Sequence, residues 1–407
     1  MIRSSAVFAA KVVVHLVAAP LTVLLYVLVV TPVSRVRAVW KRARGQKPAI
    51  LWGPHPIINI RYTSLAERLY GYRSDTLVYQ VYHLNEREDF DYPLDRLYAT
   101  PVLGAGVPYA TFLWAGFRYD VFGFFFVGGL LLATPWWWIE PPLLRLAGKK
   151  IVVYPYGQDA RLPSLTRRSG RWHAYTDVPE GQEDSDEGDV RRHVEFFDRF
   201  ATVMLGCADI GEHLPRLDGV FLYPLDLDSW APSAAPDDDV ITVVHSANHR
   251  HYKGTRFLLD AVEALQREGL PIELVLAERI SNEEAREIYR RCDVIADQFL
   301  IGAYALLAIE GMALGKPVLC YLNPRFERFH PEWAECPIVN TNPDTLAEEL
   351  RRIVLDEDHR RQAGARGPAY VRKYHSLESV GGRMDEIYRA LWTTRSRRAE
   401  LTVGRAS

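Results

Sequence analysis

Hydrophobic positions along the chain fall into patterns of two different scales. Residues 12–31 are almost continuously apolar, interrupted by His15, Pro20 and Thr22, and this is about the length of helix that crosses a bilayer. Beyond residue 48 the apolar runs shorten and alternate with stretches of helical spacing. In the first half, 49–52 reads as a buried strand and Gly53-Pro54-His55-Pro56 as a tight loop. A helix carrying Leu65, Leu69 and Tyr70 follows, and 76–82 reads as the next strand. Strand, loop, helix and strand at this spacing make a βαβ unit and imply a parallel sheet. The run 120–138 has the length of a second membrane span, but Gly123, Gly128, Gly129 and Pro135 break it. It is expected to be a core strand plus loop, with Trp136, Trp137 and Trp138 suited to a membrane interface. A short helix at 143–146 and strands at 151–154, 203–205 and 220–223 complete this half. Residues 179–189 are acidic and lack a hydrophobic pattern, which predicts an exposed loop.

From residue 240 the βα alternation repeats more cleanly. Strands are predicted at 241–245, 272–277, 294–296 and 318–321, with helices at 255–268, 283–291, 304–314 and 346–355. The tail 377–392 places Val380, Met384, Ile387, Tyr388 and Leu391 on one helical face. The expected organisation is a membrane anchor with a basic flank (1–47), an N-terminal Rossmann-like domain (48–228) and a Pro/Ala/Ser/Asp-rich linker (229–239). A C-terminal Rossmann-like domain (240–375) and a last helix and tail (376–407) follow. The fold class is α/β, two Rossmann-like domains facing a cleft.

At 407 residues the chain is too long for one ordinary core, which agrees with two domains. A formal net charge of -2 argues against a nucleic-acid partner. The four cysteines are scattered without metal-ligand spacing and read as buried free thiols in a reducing compartment. Arg35, Arg37, Lys41, Arg42, Arg44 and Lys47 directly follow the apolar run, which favours a cytoplasmic location for the rest of the chain. Because the basic cluster lies after the run, a cleavable signal peptide fits poorly. The expectation is an inner-membrane protein with its domains on the cytoplasmic side, its helix spanning or deeply inserted in preference to lying on the surface.

Candidate chemistry concentrates between residues 243 and 321. The strand 241–245 opens into Ser246-Ala247-Asn248-His249-Arg250-His251-Tyr252-Lys253-Gly254-Thr255, and an amphipathic helix follows. A helix N-terminus with fixed cations favours a diphosphate, and Arg250 and Lys253 would add charge and hydrogen bonds. Arg256, on the first turn, is expected to point to solvent. Glu310 is a lone carboxylate among small and apolar residues, on a helix ending at Gly315-Lys316-Pro317. Asp159 and Gly157 follow a strand end, where loops face the cleft. Asp159 is either a ligand contact in the cleft, or a turn or N-cap aspartate paired with Arg161. His245 either places an imidazole under a bound ligand or merely terminates a strand, and His55 and Asn59 lie in the first loop, where they could line the other side of the cleft.

Lys253-Gly254-Thr255, the "AIEGMALGKPV" helix end (308–318) and "PYGQDAR" (155–161) resemble the retaining glycosyltransferases of the GT-B fold, family 4 or group 1. The resemblance implies that Lys253 and Arg250 hold a donor diphosphate and that Glu310 contacts the nucleotide ribose. Two positions depart from the family: Gly302 stands where a glutamate near the donor sugar is usual, and Asn248 where an arginine is usual. The implied activity is metal-independent sugar transfer, without cofactor, from a nucleotide-sugar donor to a lipid-linked saccharide or polysaccharide acceptor in envelope polysaccharide synthesis. Asp159 and His245 are the catalytic candidates, Arg250, Lys253, Gly302 and Glu310 the donor side, His55, Asn59 and Gly157 the acceptor side. Alternatives are a non-catalytic membrane scaffold, favoured by Gly302, and a nucleotide-sugar epimerase.

Overall fold

In the first half of the chain, four of the five strands that lie between two others are buried end to end, which explains why they read as short apolar runs rather than alternating patterns. The computed structural model describes residues 2–82, 84–233 and 239–393. Part of the expected linker (234–238) and the end of the tail (394–407) lie outside the described residues. The chain begins with α1 (Ile2–Leu25), a π turn at Tyr26–Val30 and α2 (Thr31–Ala43), which run on as one helix. Then come β1 (Ala49–Trp52), α3 (Asn59–Leu69), β2 (Arg73–Val78), β3 (Tyr92–Pro93), α4 (Asp95–Tyr98), α5 (Leu103–Arg118) and β4 (Val121–Phe124). The unit closes with α6 (Glu140–Leu146), β5 (Lys150–Val153), α7 (Pro163–Thr166), α8 (Glu187–Phe200), β6 (Val203–Gly206) and β7 (Gly219–Val220). These strands form one parallel sheet, in the order β3-β2-β1-β4-β5-β6-β7.

The second unit runs β8 (Ile241–His245), α9 (Arg250–Lys253), α10 (Thr255–Arg267), β9 (Ile272–Leu276), α11 (Asn282–Arg291), β10 (Val294–Ala296), α12 (Leu306–Ala313) and β11 (Val318–Cys320). It ends in β12 (Val339–Asn340), α13 (Leu346–Leu355), α14 (Glu357–Ala365), α15 (Gly367–Tyr374) and α16 (Leu377–Thr393). Its parallel sheet has the order β12-β11-β10-β8-β9.

The chain passes between the units twice, near residues 225 and 375, and the two crossings are bonded together. Leu225 N–H donates to His375 O at 2.7 Å, and Leu225 forms a parallel bridge with Ser376. His375 Nδ1 donates to Tyr223 O at 2.9 Å while its Nε2 accepts from the Tyr304 hydroxyl at 2.9 Å. Burial lowers the His375 pKa to about 3, so the ring is a neutral structural post. Beyond it, α16 packs on α3 of the first unit, closely enough that a Cβ at Gly381 would meet Ala66 O at 2.4 Å. The joint has a polar centre. Buried Glu67 accepts from Trp52 Nε1 at 2.9 Å, from the Ser74 hydroxyl and from the Tyr388 hydroxyl of α16. Desolvation pushes its pKa up to about 7 against the pull of these three donors.

Several expectations change in detail. The second strand spans Arg73–Val78, not 76–82, and residues 79–82 leave the ladder towards the cleft. The run 120–138 is a strand followed by turns, but Gly123 lies inside β4 rather than breaking it. A Cβ there would meet the Trp52 ring at 1.9 Å, so the glycine is the slot into which that ring packs. Four helices of the first unit, the short α4 and α7 and the longer α5 and α8, have no counterpart in the sequence reading. The acidic stretch passes into α8 at Glu187, capped by the Asp186 side chain on Asp189 N–H. Glu67→Ala strips three buried donors of their acceptor. It should lower the unfolding free energy by about 3 kcal/mol, with Glu67→Gln retaining more of it, as read by denaturant titration.

Candidate functional site

In both sheets the strand order reverses at one place, and loops at the carboxyl ends of the strands there open a crevice where open α/β sheets take ligands. In the second unit that place lies between β8 and β10, each of which continues outward on its other side. Lys253 bridges it. Its Nζ donates to Ser246 O, just past β8, at 3.2 Å and to Asp297 Oδ1, just past β10, at 3.1 Å. Asp297 is fully buried and uses its second oxygen to accept from Ala305 N–H at 3.0 Å, at the entrance of α12. One carboxylate therefore fixes both the lysine and the helix N-terminus. Gly254, at φ +76°, joins α9 to α10 in a left-handed turn that brings Lys253 over the crevice, where Lys253 O accepts from Phe299 N–H at 2.9 Å.

Glu310 lies on α12 at the boundary between the units, near Arg286 and Tyr289 of α11 and Tyr62 of α3. Desolvation pushes its pKa up to about 8, outweighing the attraction of Arg286 and Lys253. Arg250 is turned aside from Lys253 and forms a two-pronged pair with Glu278 at 2.7 Å on both arms. Together with Thr176, Asp177, Val178 and Pro179 of the first unit, and with His251 and Thr255, it lines a cleft of about 690 Å³. Arg256 does not simply face solvent: it pairs with Asp177 across the units at 2.6 Å. Gly302 has φ +83°, and a Cβ there would meet Asn323 Cβ at 2.8 Å and Phe326 Cε2 at 3.0 Å. A glutamate does not fit this loop conformation, which accounts for the glycine in backbone terms. His245 is fully buried, its Nδ1 donating to Ala296 O and its Nε2 accepting from the Thr255 hydroxyl, both at 2.8 Å. Burial lowers its pKa to about 4. Both nitrogens are engaged inside the domain, and it supports Thr255 at the start of α10.

In the first unit the reversal lies between β1 and β4. The loop after β1 carries His55, which stacks on Tyr156 at 5.0 Å between ring centroids and meets Phe125 and Tyr82 edge-on. Loops from four neighbouring strands thus converge on one aromatic cup, and burial lowers the His55 pKa to about 4, keeping it neutral. Asn59 opens α3 beside it, with its Oδ1 buried and without a hydrogen-bond partner among the described residues. Asn85, which donates to Pro56 O in the same loop, accepts from Asn282 Nδ2 of the second unit at 3.3 Å. Asp159 is buried and accepts from Phe126, Tyr156 and Gly157 N–H at 3.0–3.1 Å. Desolvation holds its pKa up near 7 despite these bonds. It shapes the loop in which Gly157 takes φ +137°. It is not paired with Arg161, which binds Asp209 at 2.6 Å.

The paired crevices recur in solved structures. A sucrose-phosphate synthase from Thermosynechococcus elongatus matches over 85% of this chain and 99% of its own, with a TM-score of 0.56 at 16% identity. Anabaena HepE in complex with UDP-glucose matches over 84% and 99%, with 0.54 at 14% identity. The fold is GT-B. A glycosyltransferase from Rickettsia africae ESF-5 shares this GT-B architecture over 86% and 99%, with 0.56 at 12% identity. A family model described as glycosyl transferase-like matches residues 250–387, the part of the GT-B body that holds Lys253 and Glu310. No curated protein sequence matches the chain.

Sequence reasoning singled out Lys253 and Glu310 but passed over Asp297, Glu278, Tyr82 and Tyr156. Asp297 directly follows the apolar strand of β10, the same signal that drew attention to Asp159, and could have been found by it. Tyr82 was concealed by its assignment to a strand. Gly302→Glu tests the loop conformation. It should cost about 1–3 kcal/mol in backbone strain, plus the displacement of Phe326, and appear as a lowered unfolding midpoint.

Proposed function

We propose that this protein is a glycosyltransferase that transfers a sugar from a nucleotide-sugar donor, with retention at the anomeric carbon and without a metal, to a lipid-linked saccharide or polysaccharide at the cytoplasmic face of the inner membrane. The observation that carries the reading is the position of Lys253 at the sheet reversal, beside the N-terminus of α12 and above the interdomain cleft. A departing nucleoside diphosphate gains negative charge, and a lysine with a helix N-terminus stabilises that charge where it develops. The GT-B likeness supports the same reading, and Anabaena HepE binds UDP-glucose in its own structure. Arg250 would join the diphosphate by exchanging Glu278 for phosphate. Glu310 would accept from the ribose hydroxyls, and the cup of His55, Tyr82, Phe125 and Tyr156 offers ring faces on which an acceptor saccharide packs. Asp159 and His245 act by holding loops and the start of α10 in place. The apolar helix beside a basic flank supports a membrane-held acceptor.

Titration calorimetry with a panel of nucleoside diphosphates tests the donor site. One nucleotide should bind saturably to the wild type and about 10-fold or more weakly to Lys253→Ala, the worth of one charged hydrogen bond. Failure of every nucleotide to bind would overturn the transferase reading. A second expectation comes from Glu310. If the ribose is bound by its carboxylate, a group that ionises near pH 8 in the free protein must lose its proton on binding. Affinity should therefore rise about 50-fold between pH 6 and 8, as the ionised fraction grows, and Glu310→Gln should remove that rise.

A further inference from the structure

The long N-terminal helix is fastened to the first domain along most of its length. His15 bonds to the Tyr109 hydroxyl at 3.1 Å, and Tyr26 stacks on Phe112 at 4.5 Å between centroids. At Gly116 of α5 there is no room even for a Cβ, which would meet Val30 Cγ1 at 2.7 Å and the Tyr26 ring at 2.8 Å. Further on, Ser34 donates to Gly116 O at 3.1 Å and Arg35 to Leu146 O at 2.8 Å. Arg37 and Lys41 both pair with the buried Asp120 at the start of β4, at 3.1 and 2.6 Å. From residue 15 to 41 the docked face extends about 40 Å at the rise of an α-helix. A helix that crosses a bilayer needs lipid or other apolar helices around its middle; this one has a folded α/β domain there.

The opposite face is apolar and bare. Val13, Val17, Leu24, Leu28, Val36 and Trp40 are each between 45% and 71% exposed, whereas Tyr26 and Val30 on the docked face are at 0%. The bare stripe continues past the hydrophobic run into α2 and measures about 40 Å, beyond the ~30 Å hydrocarbon thickness that a spanning segment matches. Charge points to one kind of covering surface. Residues 1–47 hold eight lysines and arginines and no acidic residue; Arg37 and Lys41 are taken up by Asp120 and Lys47 by Asp385, while Lys11 and Arg44 stand exposed. Arg44 lies over the Trp40 ring at 4.0 Å, a basic head beside an apolar anchor at the end of the stripe. A protein groove would fit the apolar stripe equally well, but a stripe flanked only by positive charge fits anionic headgroups.

We infer that α1, the π turn and α2 lie in the plane of one leaflet as a side-mounted rail, holding the domain on an anionic membrane surface without crossing it. The inference rests on the membrane reading given above and makes it specific. α5 leads into the start of β4, so α5 and the parallel α1 beside it begin at the edge of the sheet where the interdomain cleft opens. The rail thus lies along the membrane surface with its first turns at the mouth of the cleft, the side from which a lipid-linked acceptor would enter.

The full chain, carrying a protease-cleavable tag ahead of the first residue, decides the matter in two measurements. In flotation, the protein should rise with phosphatidylglycerol-containing vesicles and markedly less with phosphatidylcholine alone. Val17→Gln/Leu24→Gln/Leu28→Gln should lower the bound fraction at least about tenfold. Val36→Ser/Trp40→Ser, confined to α2, should also weaken it, and a circular-dichroism spectrum and thermal midpoint like those of the wild type show that each variant is folded. In membrane vesicles from expressing cells, the tag should be cut in inside-out vesicles, on the same side as a tag after residue 407. A tag cut only in right-side-out vesicles means a spanning helix: the in-plane inference falls while membrane attachment stands. Failure to float, or flotation untouched by the substitutions, overturns the rail itself, and a concentration-dependent dimer in place of flotation assigns the stripe to a second copy. None of these outcomes bears on nucleotide binding, so the donor reading is judged separately.

Discussion

The two-domain body hangs on one small junction, where the outgoing and returning strands of the chain are bonded to each other. Leu225, His375 and Ser376 meet there, with the His375 ring tied to Tyr223 O on one side and to Tyr304 on the other. Tyr304 belongs to the loop that enters α12, so the same ring that pins the crossings also buttresses the segment between Asp297 and Glu310. From this junction α16 returns to α3 and closes on Glu67, which makes the C-terminal helix part of the first domain's packing. Two connections at one place constrain relative movement far more than one flexible linker does. Any opening of the cleft would have to pivot about this junction and break the far contacts, Asn85 to Asn282 and Arg256 to Asp177.

The reversals of strand order in the two sheets place their ligand-facing loops opposite each other. On one side stand Lys253 and the start of α12, cationic and fixed by Asp297; on the other stands a cup of aromatic rings with a neutral histidine. Diphosphate chemistry needs the first and saccharide packing suits the second. Most of the candidate polar side chains serve to hold this arrangement. His245, Asp159 and Arg161 satisfy buried donors and acceptors within single domains, with both His245 nitrogens spent and Asp159 committed to backbone amides.

The sequence disclosed β8 to β11 and α10 to α13 of the second domain to within a residue or two, because these strands are short buried runs between strongly amphipathic helices such as α10 and α13; β12, α14 and α15 have no counterpart in that reading. The first domain was harder to read. α5 is buried on several sides, and Gly104, Gly106 and Pro108 within it look like loop residues: Gly104 makes room for Tyr98 O, and Gly116 for the N-terminal helix, close approaches that no local pattern records. Gly123 misleads in the same way: its neighbour across the sheet, Trp52, is distant in sequence, and no local pattern records the slot. The candidate residues Lys253 and Glu310 stand out in the local sequence. Their neighbours Asp297 and Arg286 do not, since they come together only when the fold assembles.

The pairing of Lys253 with Asp297, and of Arg250 with Glu278, has a consequence for how the cleft meets a ligand. Each cation of the resting site is already matched by an anion, so at a distance the site presents dipoles rather than a positive field. An arriving polyanion is drawn in weakly and recognised only on contact, by redirecting existing bonds. Such a site selects by shape and by the number of oxygens a ligand can offer, and stays indifferent to the many phosphorylated molecules that could satisfy a bare lysine.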